Sequence, residues 1–394
     1  MPESCKRPSK AAGLTDASRK SDHRPKVIDL FAGAGGLSLG AARAGFTVAL
    51  AVELDKHALA AHRRNFPKVR HVAADVGKLD GNQLLHQAGI NPGELDGLIG
   101  GPPCQGFSVI GHRRVADVRN NLFRKFFALV AQCRPKFFVA ENVLGILDGQ
   151  YGDIREEALD LVPRDYVLLR AMRLRASDFG AATSRERAFF IGYRADAVAA
   201  ISESDFDAVK VKRVVTVARA LRGLPPRIYS KWLTEEMGWR SVSRMPRSNF
   251  SESIVNGIPQ GIGDPEAVRR LREERTVSGC LGTRHSAKVA ARYARLQPGG
   301  KDETSKAVRL RLEGLCPTLR AGTDADRGSY QAVRPIHPTA ARVITPREAA
   351  RLQGFPDWFQ FAPSKWHSFR QIGNSVCPFV AEAVLSVLFS KLRD

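Results

Sequence analysis

Asp29-Leu30-Phe31-Ala32-Gly33-Ala34-Gly35-Gly36 closes a short apolar run, Lys26 to Phe31, and opens an Ala/Leu-rich segment, Leu37 to Ala44, followed by Gly45. This reads as a strand, a tight glycine turn, a helix and a glycine helix cap. Glycines let a backbone pass close to a ligand, and a helix N-terminus offers unpaired amides. Alone, the turn suits NAD, FAD or S-adenosylmethionine equally, or no ligand at all as a tight structural turn.

The pattern continues outward. A second strand, Thr47 to Leu54, leads into a helix, Lys56 to Asn65, and a third strand, Val69 to Ala74, ends at Asp75. A fourth strand, Leu95 to Ile99, runs into Gly100-Gly101-Pro102-Pro103; a helix, Asn121 to Gln132, and a fifth strand, Lys136 to Ala140, follow. Strands alternating with helices predict an α/β fold with a mostly parallel sheet. Tyr166 to Leu174 and Ala188 to Tyr193 predict a hairpin at the sheet edge. From about residue 195 to 342 the periodicity dissolves into short apolar runs rich in Arg, Gly and Pro, a second, smaller, irregular basic domain. Order returns at Arg342 to Phe355 and at Gln371 to Leu392, where Val380, Val384, Leu385, Leu388 and Phe389 have helical spacing. Met1 to Arg24 is polar and basic, and reads as a disordered tail.

Sixty-one Lys and Arg oppose forty Asp and Glu in 394 residues, a net charge of +21. Such an excess favours a polyanionic partner, nucleic acid before an anionic membrane. No apolar run is read as long enough to span a bilayer. Six scattered cysteines without CxxC pairs suggest neither disulfides nor zinc, and no metal site is readable; a reduced cytoplasm fits.

Several groups converge on strand ends. Glu53 and Asp55 end the second strand, where a carboxylate holds ribose hydroxyls, and Asp75 is placed to reach an adenine amine; each acid also reads as a helix cap. Gly101-Pro102-Pro103-Cys104-Gln105-Gly106-Phe107-Ser108 holds a cysteine rigidly at the fourth strand's end, whereas Cys133 reads as a buried small hydrophobe. Glu141-Asn142-Val143 ends the fifth strand. A thiol beside a carboxylic acid, next to a nucleoside-binding turn, is a catalytic pairing.

In order, these segments resemble the motif set of the cytosine carbon-5 DNA methyltransferases of the bacterial restriction-modification type. Phe31 to Gly36 resembles the cofactor motif, Pro102-Pro103-Cys104-Gln105 the nucleophile motif, and Gly111, Arg113, Asp117, Arg119, Asn120, Leu122 and Phe123 the loop and helix beyond it. Glu141-Asn142-Val143 resembles the acid motif and Arg185-Glu186-Arg187 the arginine motif. Arg342 to Asp357, with Thr345-Pro346-Arg347-Glu348 and Arg351-Leu352-Gln353-Gly354-Phe355-Pro356, and Gln371-Ile372-Gly373-Asn374-Ser375-Val376 resemble the last two motifs. The likeness covers residues 25 to 194 and 342 to 394. Two departures stand out. Ala182-Thr183 replaces the usual Pro-Gln, which predicts looser positioning of Arg187, and Leu54 replaces an aromatic residue over the adenine, which predicts weaker cofactor binding.

The resemblance implies a Rossmann-like methyltransferase fold with S-adenosylmethionine as cofactor and S-adenosylhomocysteine as product. It divides the chain into a tail (1–24), a catalytic domain (25–194 plus 370–394), a target-recognition domain (195–342) and a hinge (343–369). It implies catalytic roles for Cys104, Glu141, Arg185 and Arg187, and cofactor contacts from Phe31, Gly33, Gly35, Glu53, Asp75, Asn374, Ser375 and Val376. DNA contacts are expected from Gln105, Ser108, Arg113, Arg244 and Arg284, and from basic residues such as Arg240, Arg247, Arg269, Arg270, Arg272, Lys288, Arg292 and Arg295. Cys104 would attack carbon 6 of a flipped-out cytosine, with Glu141 at ring nitrogen 3, Arg187 at the carbonyl, and the Gly106 to Val118 loop closing over the base. The expected partner is double-stranded DNA, with no membrane, a monomeric state, a cytoplasmic, nucleoid-associated location and a companion restriction endonuclease. Transfer RNA as substrate, a catalytically dead DNA-binding module and a nicotinamide-dependent dehydrogenase are the rival readings. The basic insertion opposes the first, the intact Cys104, Glu141 and Arg187 the second, and Cys104-Gln105 the third.

Overall fold

Strand β1 (Lys26–Leu30) alternates its side chains between two cores: Val27 packs on one face of the sheet, Ile28 and Leu30 on the other. The computed structural model describes residues 24–103, 120–233, 236–322 and 332–393. Five parallel strands lead the sheet: β1, β2 (Thr47–Val52), β3 (Arg70–Val72), β4 (Gly97–Gly100) and β5 (Phe137–Asn142). β6 (Tyr166–Leu168), β7 (Met172–Arg175) and β8 (Glu186–Arg194) complete it in the order β3-β2-β1-β4-β5-β8-β6, with β7 also paired to β8. Helices cover both faces, as a parallel sheet requires.

The expected edge hairpin is corrected here. β8 is an interior strand, antiparallel to β5 on one side and to both β6 and β7 on the other. Tyr166–Leu174 is two strands, each pairing a different part of the nine-residue β8. The chain runs outward from β1 to β3 and returns to β4 beside β1. That reversal opens a crevice beyond the C-terminal ends of β1 and β4, where doubly wound sheets bind ligands.

On one face lie α3 (Gly81–Ala88) and α4 (Asn120–Cys133), whose Leu84, Phe123, Phe126, Phe127 and Val130 pack against Leu98, Phe138 and Ala140, with Cys133 in the same core. On the other face lie α1 (Gly36–Ala44) and the C-terminal helix Pro378–Lys391. The two approach closely because Gly40 has no side chain: a Cβ there would stand 2.3 Å from that of Ala381. The expected terminal helix is two helices, Lys365–Asn374 and Pro378–Lys391, parted at Ser375–Cys377. The segment Lys365–Lys391 is apolar in composition, but 72% of its most apolar window is buried inside the fold, and its two helices, of 10 and 14 residues, are each shorter than a bilayer crossing needs. Its apolar side chains, Val380, Val384, Leu385 and Leu388 among them, serve the core.

Residues 195–342 carry short elements, including a two-strand pairing of Arg240–Ser241 with Thr276–Val277 and a helix Ala287–Arg295. Val198, Phe206, Val215 and Leu319 join the same core as Val384 and Phe379, while Tyr293, Ala307, Ile336 and Val343 form a small satellite core. The helix Pro346–Gln353 is buried along its whole length. Arg347 donates to the carbonyls of Ser278, Pro356 and Phe359, and Arg351 grips the Asp357 carboxylate through two hydrogen bonds of 2.7 and 2.6 Å. Buried guanidinium groups are tolerated where every donor finds a carbonyl or carboxylate.

Candidate active site

The strand ends build one cavity of about 770 Å³. After β1, the backbone turns through positive φ at Phe31 (57°), Gly33 (58°) and Gly35 (104°). A non-glycine residue held there is strained, and such strain concentrates at functional sites. The turn presents its Gly33 amide to Glu53 Oε2 at 2.8 Å, while Glu53 Oε1 accepts the Asp55 amide at 2.8 Å. Glu53 thus locks the end of β2 to the turn after β1 and still faces the cavity. Burial pushes its carboxyl above the usual range, opposed by those amides.

Phe31, Gly33, Glu53, Asp75, Asn374, Ser375 and Val376, all expected to meet the cofactor, line this cavity. Asp75 also caps the turn that follows it, accepting the Gly77 amide at 2.9 Å. Gly35 does not line the cavity. A Cβ there would lie 2.3 Å from the Phe66 ring, so this glycine serves the turn's conformation and its packing. Gly36 admits the C-terminal segment, since its Cβ would stand 2.2 Å from the Val376 carbonyl oxygen. Leu54 lines the cavity and is 68% exposed, so no aromatic ring covers that wall from this position.

Glu141 and Arg187 meet at the other end of the cavity. Register pairs Glu141 with Phe189 across β5 and β8, and Arg187 Nε lies 3.1 Å from Glu141 Oε1. Arg187 Nη1 also donates to the Glu186 carbonyl at 2.8 Å. Glu141 is 6% exposed. Arg185 lines the cavity too, but its Nη1 donates to the Gly373 carbonyl at 2.9 Å and to that of Leu319 at 3.4 Å, tying β8 to the Lys365–Asn374 helix. Ala182-Thr183 does not leave this segment loose. Thr183 Oγ1 donates to the Cys316 carbonyl at 3.0 Å, and the Cys316 amide donates to the Ala182 carbonyl at 2.9 Å.

Gly101, Pro102 and Pro103 line the cavity, and Asn142 Nδ2 donates to the Pro102 carbonyl at 3.4 Å. The next residue is Cys104, which lies outside the described residues, as do Gln105, Ser108 and Arg113. Arg244 and Arg284 are exposed on the 195–342 region. Other arginines expected at DNA are engaged elsewhere: Arg269 pairs with Glu266, Glu273 and Glu274, Arg270 with Glu266, and Arg292 with Asp302. Arg240 stacks over Trp232 at 3.7 Å.

One residue of the opening motif was not singled out by sequence. Asp29 is fully buried, lines the cavity and accepts the Ser38 hydroxyl on Oδ2 at 2.6 Å, while its Oδ1 has no hydrogen-bond partner among the described residues. Ser38 Oγ lies 3.0 Å from His62 Nε2, and His62 Nδ1 lies 2.8 Å from His71 Nε2. Because Ser38 donates to Asp29, it accepts from His62, which in turn accepts from His71. Burial holds both imidazoles neutral, His62 well below its usual range and His71 at about 4. Burial pushes Asp29 the other way, up to about 7, against the pull of Ser38 and with Glu53 adding to it. A buried acid with an unpaired oxygen, in a residue that lines the cavity, is a group whose charge a nearby cation would stabilise.

Comparison with known proteins shows which family the chain belongs to. The model of the C-5 cytosine-specific DNA methylase family matches residues 25–390. Type II methyltransferase M.XorII of Xanthomonas oryzae pv. oryzae is 38% identical over 379 residues, spanning 94% of this chain and 86% of that protein. The crystal structure of a DNA modification methyltransferase encoded within an E. coli prophage superposes with a TM-score of 0.83 at 46% identity, covering 93% of this chain and 99% of that one. S. pombe Dnmt2 methyltransferase shares the fold at a TM-score of 0.58 and 16% identity, over 93% of this chain and 99% of its own. The chain belongs to the C-5 cytosine-specific DNA methylase family.

Proposed function

We propose that this enzyme transfers a methyl group from S-adenosylmethionine to carbon 5 of a cytosine flipped out of duplex DNA, through a transient bond to Cys104. The observation that carries the reading is the Glu141–Arg187 pair, set in the same cavity as the Phe31–Gly36 turn and beside the Pro102-Pro103 segment that leads into Cys104.

The cavity suits an S-adenosyl donor: Glu53 for ribose hydroxyls, the buried Asp29 oxygen for a cationic end, and glycine positions where no Cβ intrudes. When bound, that donor supplies an electrophilic methyl group. The protein's part is to make carbon 5 nucleophilic. The Cys104 thiolate adds to carbon 6, and electron density moves toward ring nitrogen 3. The Glu141 carboxyl, in its acid form, donates its proton to that nitrogen, and Arg187, held beside Glu141 and the Glu186 carbonyl, faces the base carbonyl. After transfer, loss of the carbon 5 proton and departure of the thiolate restore the ring. Arg185 acts as a positioning residue through the carbonyls it holds.

Residues 195–342 serve as the target-recognition domain, hinged through 343–369 to the catalytic domain (25–194 plus 370–394). Exposed Arg244 and Arg284 meet DNA there, while ion-paired Arg269, Arg270 and Arg292 hold the domain together. On the likeness to Type II enzymes, a companion restriction endonuclease, a monomeric state and a bacterial cytoplasmic location near the nucleoid are part of the same proposal.

The test is expression of the protein and of Cys104→Ala in a host lacking cytosine methylation, with modified nucleosides measured by mass spectrometry. 5-Methylcytosine with the intact protein alone is the expected result. Methylation of the exocyclic amine, or of transfer RNA but not DNA, overturns it.

A further inference from the structure

Tyr229 is the most exposed aromatic ring among the described residues, at 58%, yet it is not loosely held. Its ring meets Trp232 edge to face, centroids 5.1 Å apart at 74°, and the Trp232 amide donates to the Tyr229 carbonyl at 2.9 Å. Trp232 is 9% exposed, and the Arg240 guanidinium lies over its ring at 3.7 Å. Arg240, Trp232 and Tyr229 form a graded stack: a cation at the base, a buried indole, then a ring facing water.

The stack is linked to a helix that lines the cavity. The Gly282 amide donates to the Trp232 carbonyl at 3.4 Å, and a Cβ on Gly282 would lie 2.3 Å from Ile228, so the Ile228–Leu233 turn lies directly on Gly282. The Gly282 carbonyl accepts the ammonium of Lys365, the first residue of the helix whose His367 and Arg370 line the cavity. Exposed Arg284 follows two residues after Gly282. The neighbourhood is thus an aromatic ring among cations, joined through Lys365 to a helix whose later residues line the proposed active site.

We propose that Tyr229 is a DNA-contacting residue that packs its ring against a nucleotide next to the target cytosine. This rests on the reading of the protein as a duplex DNA methyltransferase. A ring already fixed by its neighbours loses little conformational freedom on contact, which makes it a more effective anchor than a mobile side chain. Flipping the target cytosine uncovers the faces of its neighbours, and an aromatic ring packs on any of them because every base has a π-face. Tyr229 therefore contributes affinity and register, while base identity is read elsewhere. Arg240, expected at first to meet phosphate, supports the ring from behind.

The test uses the full chain, radiolabelled S-adenosylmethionine and fragments of unmethylated genomic DNA, comparing wild type, Y229A and Y229F. The expected result is a KM for DNA raised about tenfold in Y229A, the scale of losing one aromatic–nucleotide contact. KM for S-adenosylmethionine is unchanged, and Y229F recovers most of the loss. Unchanged KM for DNA in Y229A overturns the inference. So does a parallel rise in KM for S-adenosylmethionine, which marks a structural fault, or a Y229F defect as large as that of Y229A. No methyl transfer to DNA by the wild type overturns the duplex DNA reading itself, and the inference with it.

Discussion

Arg187 Nε stands 3.1 Å from Glu141 Oε1, joining the first residues of one antiparallel strand to the last of its neighbour at the floor of the cavity. Removing the guanidinium leaves Glu141 without the group that orients it. Arg187→Ala is expected to lower the single-turnover rate of methyl transfer about 100-fold, the scale of losing one preorganised donor. Affinity for S-adenosylmethionine, measured by calorimetry, should hold. Arg187→Lys keeps the charge but not the planar fork, and should recover only part of the rate. A large loss of cofactor affinity in Arg187→Ala would place the residue in the wrong role.

Asp29 predicts how cofactor binding depends on pH. Burial raises its carboxyl to about 7, so below that pH the empty cavity holds Asp29 protonated. A cationic ligand favours the ionised form and lowers the pKa, so binding releases a proton below pH 7. Affinity for S-adenosylmethionine is therefore expected to rise with pH up to about 7 and then level off. Calorimetry in buffers of different ionisation enthalpy reads the released proton, and Asp29→Asn should abolish both the release and the pH dependence.

The same shift has a consequence for stability. The folded-state pKa of Asp29 lies above its unfolded value of 3.8, so ionisation opposes folding; the cost grows as pH climbs from about 4 to about 7 and is constant above that. Asp29→Asn without cofactor should melt higher than wild type at pH 8.5 and show no such gain near pH 4. An equal shift at both pH values would show that the carboxyl's charge is not responsible.

Thr183 replaces the glutamine of related enzymes and compensates through its hydroxyl, which donates to the Cys316 carbonyl. Thr183→Val keeps the volume and removes the bond. Stability should fall by about 1 kcal/mol in denaturant titrations, with a reduced methyl-transfer rate because Arg185 and Arg187 follow directly in the chain.

Exposed and paired arginines should separate by salt dependence. Arg244→Ala and Arg284→Ala are each expected to reduce the slope of log affinity for DNA against log salt by about one. Arg269→Ala should leave the slope nearly unchanged, since its guanidinium is occupied by Glu266, Glu273 and Glu274.

Local sequence carried the parallel half of the sheet well. Apolar runs ending in glycine or acid marked β1 to β5, and the helix Lys56–Asn65 begins and ends where its pattern says. In the antiparallel half the two segments and their pairing were legible, but the interior place of β8 was not, because it rests on long-range pairing with β5 that no local period encodes. Candidate residues on strand ends were brought to one cavity for the same reason the strands were legible. Asp29 was overlooked because its neighbours Ser38, His62 and His71 meet only in the fold. Gly35 was expected at the cofactor but lies off the cavity lining, and a glycine that makes a turn and one that admits a ligand look alike in sequence. Composition also cannot show that Glu266, Glu273, Glu274 and Asp302 pair with particular arginines.

The close approach of Gly36 to Val376 and of Gly40 to Ala381 gives the protein a particular life history on the ribosome. The first turn of the chain emerges early, but the wall that completes its cavity is made last. A nascent chain can form β1 to β5 while the surface reserved for Pro378–Lys391 still lies open, and a holding chaperone would find its apolar target there. Translation that stops short of residue 374 yields a chain without Ser375 and Val376, and hence without a closed cofactor cavity.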